Sequence, residues 1–173
     1  MNFKAPWGIK ITCMTLAVSL LLLGISTYLL FADRGNNIYG LRIYGPMLIL
    51  LGALLFIIRG YTISGNTLLV HRLIWNSRID LSGLVSVEIN PEAMSYSIRT
   101  FGNGGLFSIS GLFRNKTLGS YRAYATDPKR AVVLKYKKRT IVVTPDRPDV
   151  FAARIESIVH GITEAGRESS LKN

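Results

Sequence analysis

Hydrophobic and polar positions along this chain change their period once, near Tyr61. Before it, apolar residues come in unbroken runs. Ile11 to Ala32 is 22 residues without a charge, enough to cross roughly 30 Å of hydrocarbon as a helix. Ile43 to Ile58 is a second run of 16 residues between Arg42 and Arg59, which at about 1.5 Å per residue spans roughly 24 Å. Both arginines are long enough to snorkel towards headgroups. The pattern predicts a membrane anchor over 1–60, with transmembrane helices at about 11–32 and 43–58. The ten residues Asp33 to Arg42 would form the connecting loop. A cleaved signal peptide fits less well, because the first run exceeds the usual apolar core and no A-x-A site follows it.

From Tyr61 onward the period is that of strands. Tyr61 to Leu73 holds two extended runs split by the turn Ser64-Gly65-Asn66. Trp75 to Asp80 follows, then Leu84 to Ile89, where Val85, Val87 and Ile89 alternate with Ser86 and Glu88. A further strand is expected at Ser95 to Arg99. Gly119 to Thr126 sets Tyr121 and Ala123 against Arg122 and Tyr124. Ala131 to Tyr136 and Thr140 to Thr144 form a hairpin around Lys137-Lys138-Arg139. After Pro145 and Pro148, Asp149 is placed to cap a helix reaching about Glu164, with Val150, Phe151, Ile155, Ile158, Val159 and Ile162 as its apolar stripe. Residues 165–173 are expected to be a polar, disordered tail. The pattern therefore predicts a mainly-β domain over 61–164, a small barrel or sandwich of about seven antiparallel strands capped by one helix.

The stretch Phe101 to Phe113, FGNGGLFSISGLF, is open to two readings. A phosphate cradle needs G-x-x-x-x-G-K-[ST], or a G-x-G-x-x-G that opens a helix. Here strand-like sequence follows, so no helix N-terminus supplies aligned amides. The favoured reading is a turn that shapes the sheet, with Gly111 as a bulge or a close approach. Gly102, Asn103, Gly104 and Gly105 remain a candidate loop contact.

Several strings together resemble the bacterial PH-domain families of membrane-anchored proteins. They are the apolar helix pair, Tyr61-Thr-Ile-Ser-Gly-Asn-Thr-Leu-Leu-Val-His71, GGLFSISGLFRNKTLGSYRAYAT and IVVTPDRPDVF. The resemblance covers about Tyr61 to Ile162 and implies a bent seven-stranded antiparallel barrel with a C-terminal helix. It implies little about the ligand, since the fold hosts many. The basic first hairpin of inositol-lipid-binding PH domains has no counterpart, because Ser64-Gly65-Asn66 carries neither Lys nor Arg.

Composition narrows the function. His71 and His160 are the only histidines and no H-x-x-x-H or H-E-x-x-H motif is present. Ser108 lacks the spacing and the strand-to-helix context of a nucleophile elbow. Cys13 is the only cysteine, which excludes an intrachain disulfide. No catalytic constellation, cofactor motif or metal-ligand set is legible. The chain carries 21 Lys and Arg against 10 Asp and Glu. Lys135, Lys137, Lys138, Arg139, Arg114 and Lys116 are therefore candidates for contact with the anionic leaflet, where each nearby cation is worth about 1 kcal/mol. Nucleic acid is a weaker partner for this charge, since no base-stacking module is present. The expectation is a non-enzymatic module in the bacterial plasma membrane, multi-pass, with both termini cytoplasmic. It would engage a protein partner or anionic headgroups. An accessory subunit of a larger membrane assembly is the alternative, and an unrecognised membrane-bound enzyme a weaker one. Oligomeric state is open.

Overall fold

The structure, a computed structural model, describes residues 1–32 and 39–171. Its strands form two antiparallel-rich sheets. The first has the order β1-β2-β3-β4, from Asn2–Lys4, Ile58–Ser64, Thr67–Arg72 and Asn76–Asp80. The second contains β5 (Leu84–Ile89), β6 (Ile98–Gly104), β7 (Ile109–Asn115), β8 (Gly119–Ala125), β9 (Val132–Tyr136) and β10 (Thr140–Val143). Its order is β5-β9-β10-β8-β7-β6, with β10 parallel to β8. The helices are α1 (Ile9–Ala32), α2 (Tyr39–Leu54) and α3 (Pro148–Leu171).

The expected closed barrel is not formed. Strand β4 turns at Leu81 into β5, but β5 pairs with β9 rather than continuing the first sheet. That leaves β4 and β6 as unpaired edges of two separate sheets.

Why the two sheets hold together is read from the central strands. Val132, Val133, Leu134, Ile141, Val142 and Val143 are all buried, so β9 and β10 have apolar neighbours on both faces. On one face Leu134 and Ile141 meet Tyr61, Leu68, Val70 and the α3 residues Phe151 and Ile155. On the other, Val133 and Val142 meet Ala93, Phe113 and Tyr121. The segment over this second face is fixed by Asn115, whose amide donates to Ala93 O at 2.8 Å and to Ser97 Oγ at 3.0 Å. Tyr124, placed by alternation on the wet face of β8, is 7% exposed and belongs to the inter-sheet core.

Tyr61 binds three elements at once. Its hydroxyl donates to Tyr124 O at 2.6 Å and accepts from Thr144 N at 3.2 Å. Burial pushes its pKa up to about 12, outweighing the hydrogen bonds from Thr144 and the more distant Arg72 charge. Below about pH 10 both folded and unfolded forms keep the proton, so stability does not change with pH through this group. Between about pH 10 and 12 the unfolded chain releases it first, so stability falls by roughly 1.4 kcal/mol per unit. Tyr61→Phe should be less stable at neutral pH by about 1–2 kcal/mol. It should also lose part of the alkaline decline seen in urea melts of the parent, and an unchanged decline would contradict this assignment.

The helices differ from the sequence expectation in three ways. Among the described residues only α1, over Ile9–Phe31, is long and apolar enough to cross a membrane. The expected second span at 43–58 is not observed, because α2 has 16 residues and ends at Leu54. Ile58 and Arg59 are drawn into β2 by pairing with β3, and Ile58 is 1% exposed in the core. Its apolarity serves the sheet rather than a bilayer. Of the expected loop 33–42, residues 39–42 are helical and 33–38 lie outside the described residues. Helix α3 starts at Pro148 rather than after an Asp149 cap, and it continues to Leu171 through most of the expected tail.

Residues 2–4 carry no strand signal, being too short to show a period, yet they pair with β2 as Asn2↔Thr62, Phe3↔Tyr61 and Lys4↔Gly60. Phe3 is 3% exposed and meets the Phe151 ring edge-on at 5.0 Å. Chain entry into α1 is then fixed where Gly8 N donates to Thr126 O at 2.9 Å. Beyond it, α1 packs against α2, and large apolar residues such as Leu20, Leu21, Phe31, Leu48 and Ile49 remain exposed.

Candidate functional site

Strand registers define two ends of the β domain. Ile58 pairs with Arg72 and Ile109 with Ala125, so the β3–β4 and β6–β7 turns lie at the end that carries the helices. Ser64 pairs with Thr67, Asn115 with Gly119 and Thr140 with Lys135, so those three turns lie at the other end.

Where β4 passes the β6–β8 half of the second sheet, the absence of barrel closure leaves an opening of about 330 Å³. Four cations line it: Arg78 on β4, Arg122 on β8, and Lys138 and Arg139 on the β9–β10 turn. No carboxylate is among its lining residues. Leu112 and Phe113 form an apolar wall, and the Thr100, Ser120 and Thr140 hydroxyls complete it. Arg139 stacks on Tyr136 with its guanidinium carbon 4.6 Å from the ring centre, which limits its rotamers. Asp80 is close enough to Arg139 to feel its charge, but its carboxyl is held below the usual range chiefly by hydrogen bonds from the Ser82 side chain and backbone. The arrangement suits an anionic ligand with some apolar surface. It has no paired acid and base for proton transfer.

A further cation, Arg72 at the end of β3, is buried between the two sheets at the helix-bearing end, outside that opening. It is 8% exposed. Its Nη2 donates to Ser110 Oγ at 2.7 Å, its Nη1 to Phe56 O at 3.3 Å and its Nε to Ser77 Oγ at 3.3 Å. Phe56, Trp75 and Tyr124 rings lie 5.4–5.6 Å from its guanidinium carbon. Burial lowers its proton affinity, opposed by Tyr124 and reinforced by Arg122. Among the described residues no carboxylate forms an ion pair with it.

The basic residues singled out from sequence do not form one patch. Arg114 and Lys116 sit at the far end of β7, and Lys137, Lys138 and Arg139 form the β9–β10 turn, also at the far end. A strand of five to seven residues separates these turns from the helices, roughly 15–20 Å. That exceeds the Debye length of about 8 Å in physiological salt. Lys135 is committed to Glu88 at 2.8 Å. Only Lys138 and Arg139 enter the opening, where Arg78 and Arg122 join them. Sequence reasoning missed those two because each is a lone polar residue at a wet position of a strand.

The glycine stretch serves the helix. Gly102, Asn103 and Gly104 belong to β6 rather than to a turn. The turn begins at Gly105 and is closed by Asn103, whose Oδ1 accepts from Gly105 N at 3.2 Å and Leu106 N at 3.1 Å. Gly105 O accepts from Thr15 Oγ1 at 3.4 Å, and Phe107 N donates back to Thr15 Oγ1 at 2.9 Å. A Cβ on Gly105 would lie 2.8 Å from Met14 Sδ. Trp7 and Phe107 rings stand 6.1 Å apart beside this contact. The loop thus docks the second turn of α1, and Thr15 is 5% exposed there. His71 takes a structural place, bonding Thr62 Oγ1 at 2.7 Å and Asn76 Oδ1 at 3.0 Å across the first sheet.

No curated protein and no solved structure matches the chain. One family model does, described as Bacterial PH domain, and it matches residues 59–159. That match opens beside the first residues of β2 and ends within α3, taking in both sheets apart from β1, so the chain belongs to the bacterial PH domain family.

Proposed function

We propose that the chain is a non-enzymatic, membrane-anchored binding module of the bacterial plasma membrane, whose β domain offers its basic opening to an acidic segment of a protein partner. The observation that carries this is the four-cation lining of the opening at the unclosed side of the two sheets. Its distance from the helices favours a partner in solution over headgroups of the anchoring membrane. Edge strand β4 borders the opening, so an extended segment has free backbone groups to pair with as well as cations for its carboxylates.

Anchoring is supported by the apolar exposure of α1 and α2. The chain enters α1 and leaves α2 at points hydrogen-bonded to the same β domain, Gly8 and Phe56. Beyond its docked second turn, residues 16–32 of α1 extend roughly 25 Å, most of the roughly 30 Å of hydrocarbon that a span must cross.

The test uses the full chain. In membranes washed with alkaline carbonate it should stay in the pellet, and its release would remove the anchoring. Reconstituted in neutral-lipid nanodiscs, it should bind a labelled peptide of alternating Glu and Val, seen as saturable anisotropy. Arg78→Gln with Arg122→Gln should weaken that binding by about tenfold or more. Equal binding of a Gln–Val peptide, or no loss in the double variant, would remove the partner assignment. Tighter binding of oligo-dT would assign the opening to nucleic acid instead.

A further inference from the structure

We propose a second ligand site, at the helix-bearing end, that holds the phosphate of an anionic lipid headgroup. It is a crevice of about 670 Å³ between β1, the start of β2 and the β3–β4 turn. Lys4, Arg59 and Arg147 line it, against the single carboxylate of Asp146. Asp146 is already engaged, accepting from Lys4 N at 3.1 Å and lying 3.9 Å from Arg147 Nε. Arg72 also borders the crevice, but its guanidinium turns to Ser77 Oγ and Ser110 Oγ on the inter-sheet face, so Lys4, Arg59 and Arg147 are the cations an anion here would meet.

Lipid is favoured over other anions by what surrounds the cations. Leu73 and Ile74 line the same crevice and are 47% and 72% exposed. Trp75 follows, edge-on to Phe56 at 5.6 Å, and Phe56 lies two residues past the end of α2. The turn thereby prolongs the exposed apolar surface of α2. An apolar tip with an indole beside it and three cations set back along the strands matches the layering of acyl chain, interface and headgroup phosphate. The loop contact expected from the glycine stretch plays no part here, since it is filled by α1.

This site rests on the reading that α1 and α2 enter lipid, which carbonate extraction tests separately. For the site itself, delipidated full chain in detergent is titrated with phosphatidylglycerol or phosphatidylcholine, and retained lipid is counted by native mass spectrometry. The parent should retain phosphatidylglycerol preferentially. Arg59→Gln with Arg147→Gln should lower that retention about 30-fold, and Lys116→Gln with Lys137→Gln should leave it unchanged. Arg59 and Arg147 are exposed, so the fold should survive both changes, with the 5.6 Å contact of the Arg147 guanidinium on the Phe3 ring the one packing contact given up. Equal retention of both lipids, or no loss in the Arg59 and Arg147 variant, would overturn the site in a protein that still pellets with membrane. Displacement of phosphatidylglycerol by millimolar inorganic phosphate would overturn the lipid assignment and leave a free-phosphate site.

Discussion

Gly111→Val is expected to destabilise the protein by about 2–5 kcal/mol, a large share of the roughly 5–15 kcal/mol that holds an ordinary domain folded. Two costs add. Gly111 has φ +148, a backbone conformation that a β-branched residue adopts only under strain of about 1–2 kcal/mol. A Cβ there would also lie 2.1 Å from Phe101 O and 2.8 Å from Gly102 Cα. Both obstacles are backbone, so no side chain can swing aside, and the β6–β7 pair must part or shift at an overpacking cost of about 1–3 kcal/mol. Gly102 faces Gly111 across the register with φ +105, so the two glycines let the strands approach where neither could alone. Gly65→Ala is the control. It has φ +52 but nothing within 4 Å of its Cβ, and should cost about 1 kcal/mol. Thermal melts of the full chain in detergent separate the two. Similar losses in both variants would show that conformation, not contact, sets the cost at Gly111.

Arg72→Met is the second large effect, expected at about 3 kcal/mol or about 10 °C in Tm for a chain of this size. The methionine keeps the apolar stem but removes the donors to Phe56 O, Ser77 Oγ and Ser110 Oγ. Phe56 O retains Ser108 Oγ at 2.8 Å, so the link between α2 and β2 loosens without being lost. Relief of the buried cation offsets part of the cost. Arg72→Lys should fall between the two, because an ammonium keeps charge but cannot reach three partners on β4, β7 and the α2–β2 link together. Hydrogen exchange should rise first at residues 56–58. Uniformly unchanged exchange there would show that Arg72 does not couple the helix to the sheets.

Most strand positions from Tyr61 to Val143 were legible because turn residues punctuate a period of two, as at Ser64-Gly65-Asn66 and Lys137-Lys138-Arg139, but β7 and most of β6 were not, since the glycines of Phe101 to Phe113 read as a turn. Pairing order was not legible. That β10 inserts between β8 and β9, and that β5 crosses to β9, depends on which apolar faces meet at long range. Gly111 was correctly read as a close approach, while the register shift lies on β6 between Arg99 and Phe101, opposite Phe113 and Leu112. The charge excess was visible in composition, but its division between the two ends of the domain was not, since strand direction decides which turn faces the helices. Arg78 and Arg122 became a pair only when two sheets failed to close.

One consequence concerns how a water-soluble form of this domain would be made. Because residues 2–4 supply an outer strand and place Phe3 in the core, a fragment beginning at Tyr61 would begin with an uncovered β2 edge and a cavity beside Phe151. Lys4 pairs with Gly60, which brings the two ends of the helical insertion to neighbouring positions on adjacent antiparallel strands. The helix pair thus occupies the place of a hairpin loop. A short turn spliced across that gap would excise the exposed apolar helices and leave every strand with its partner.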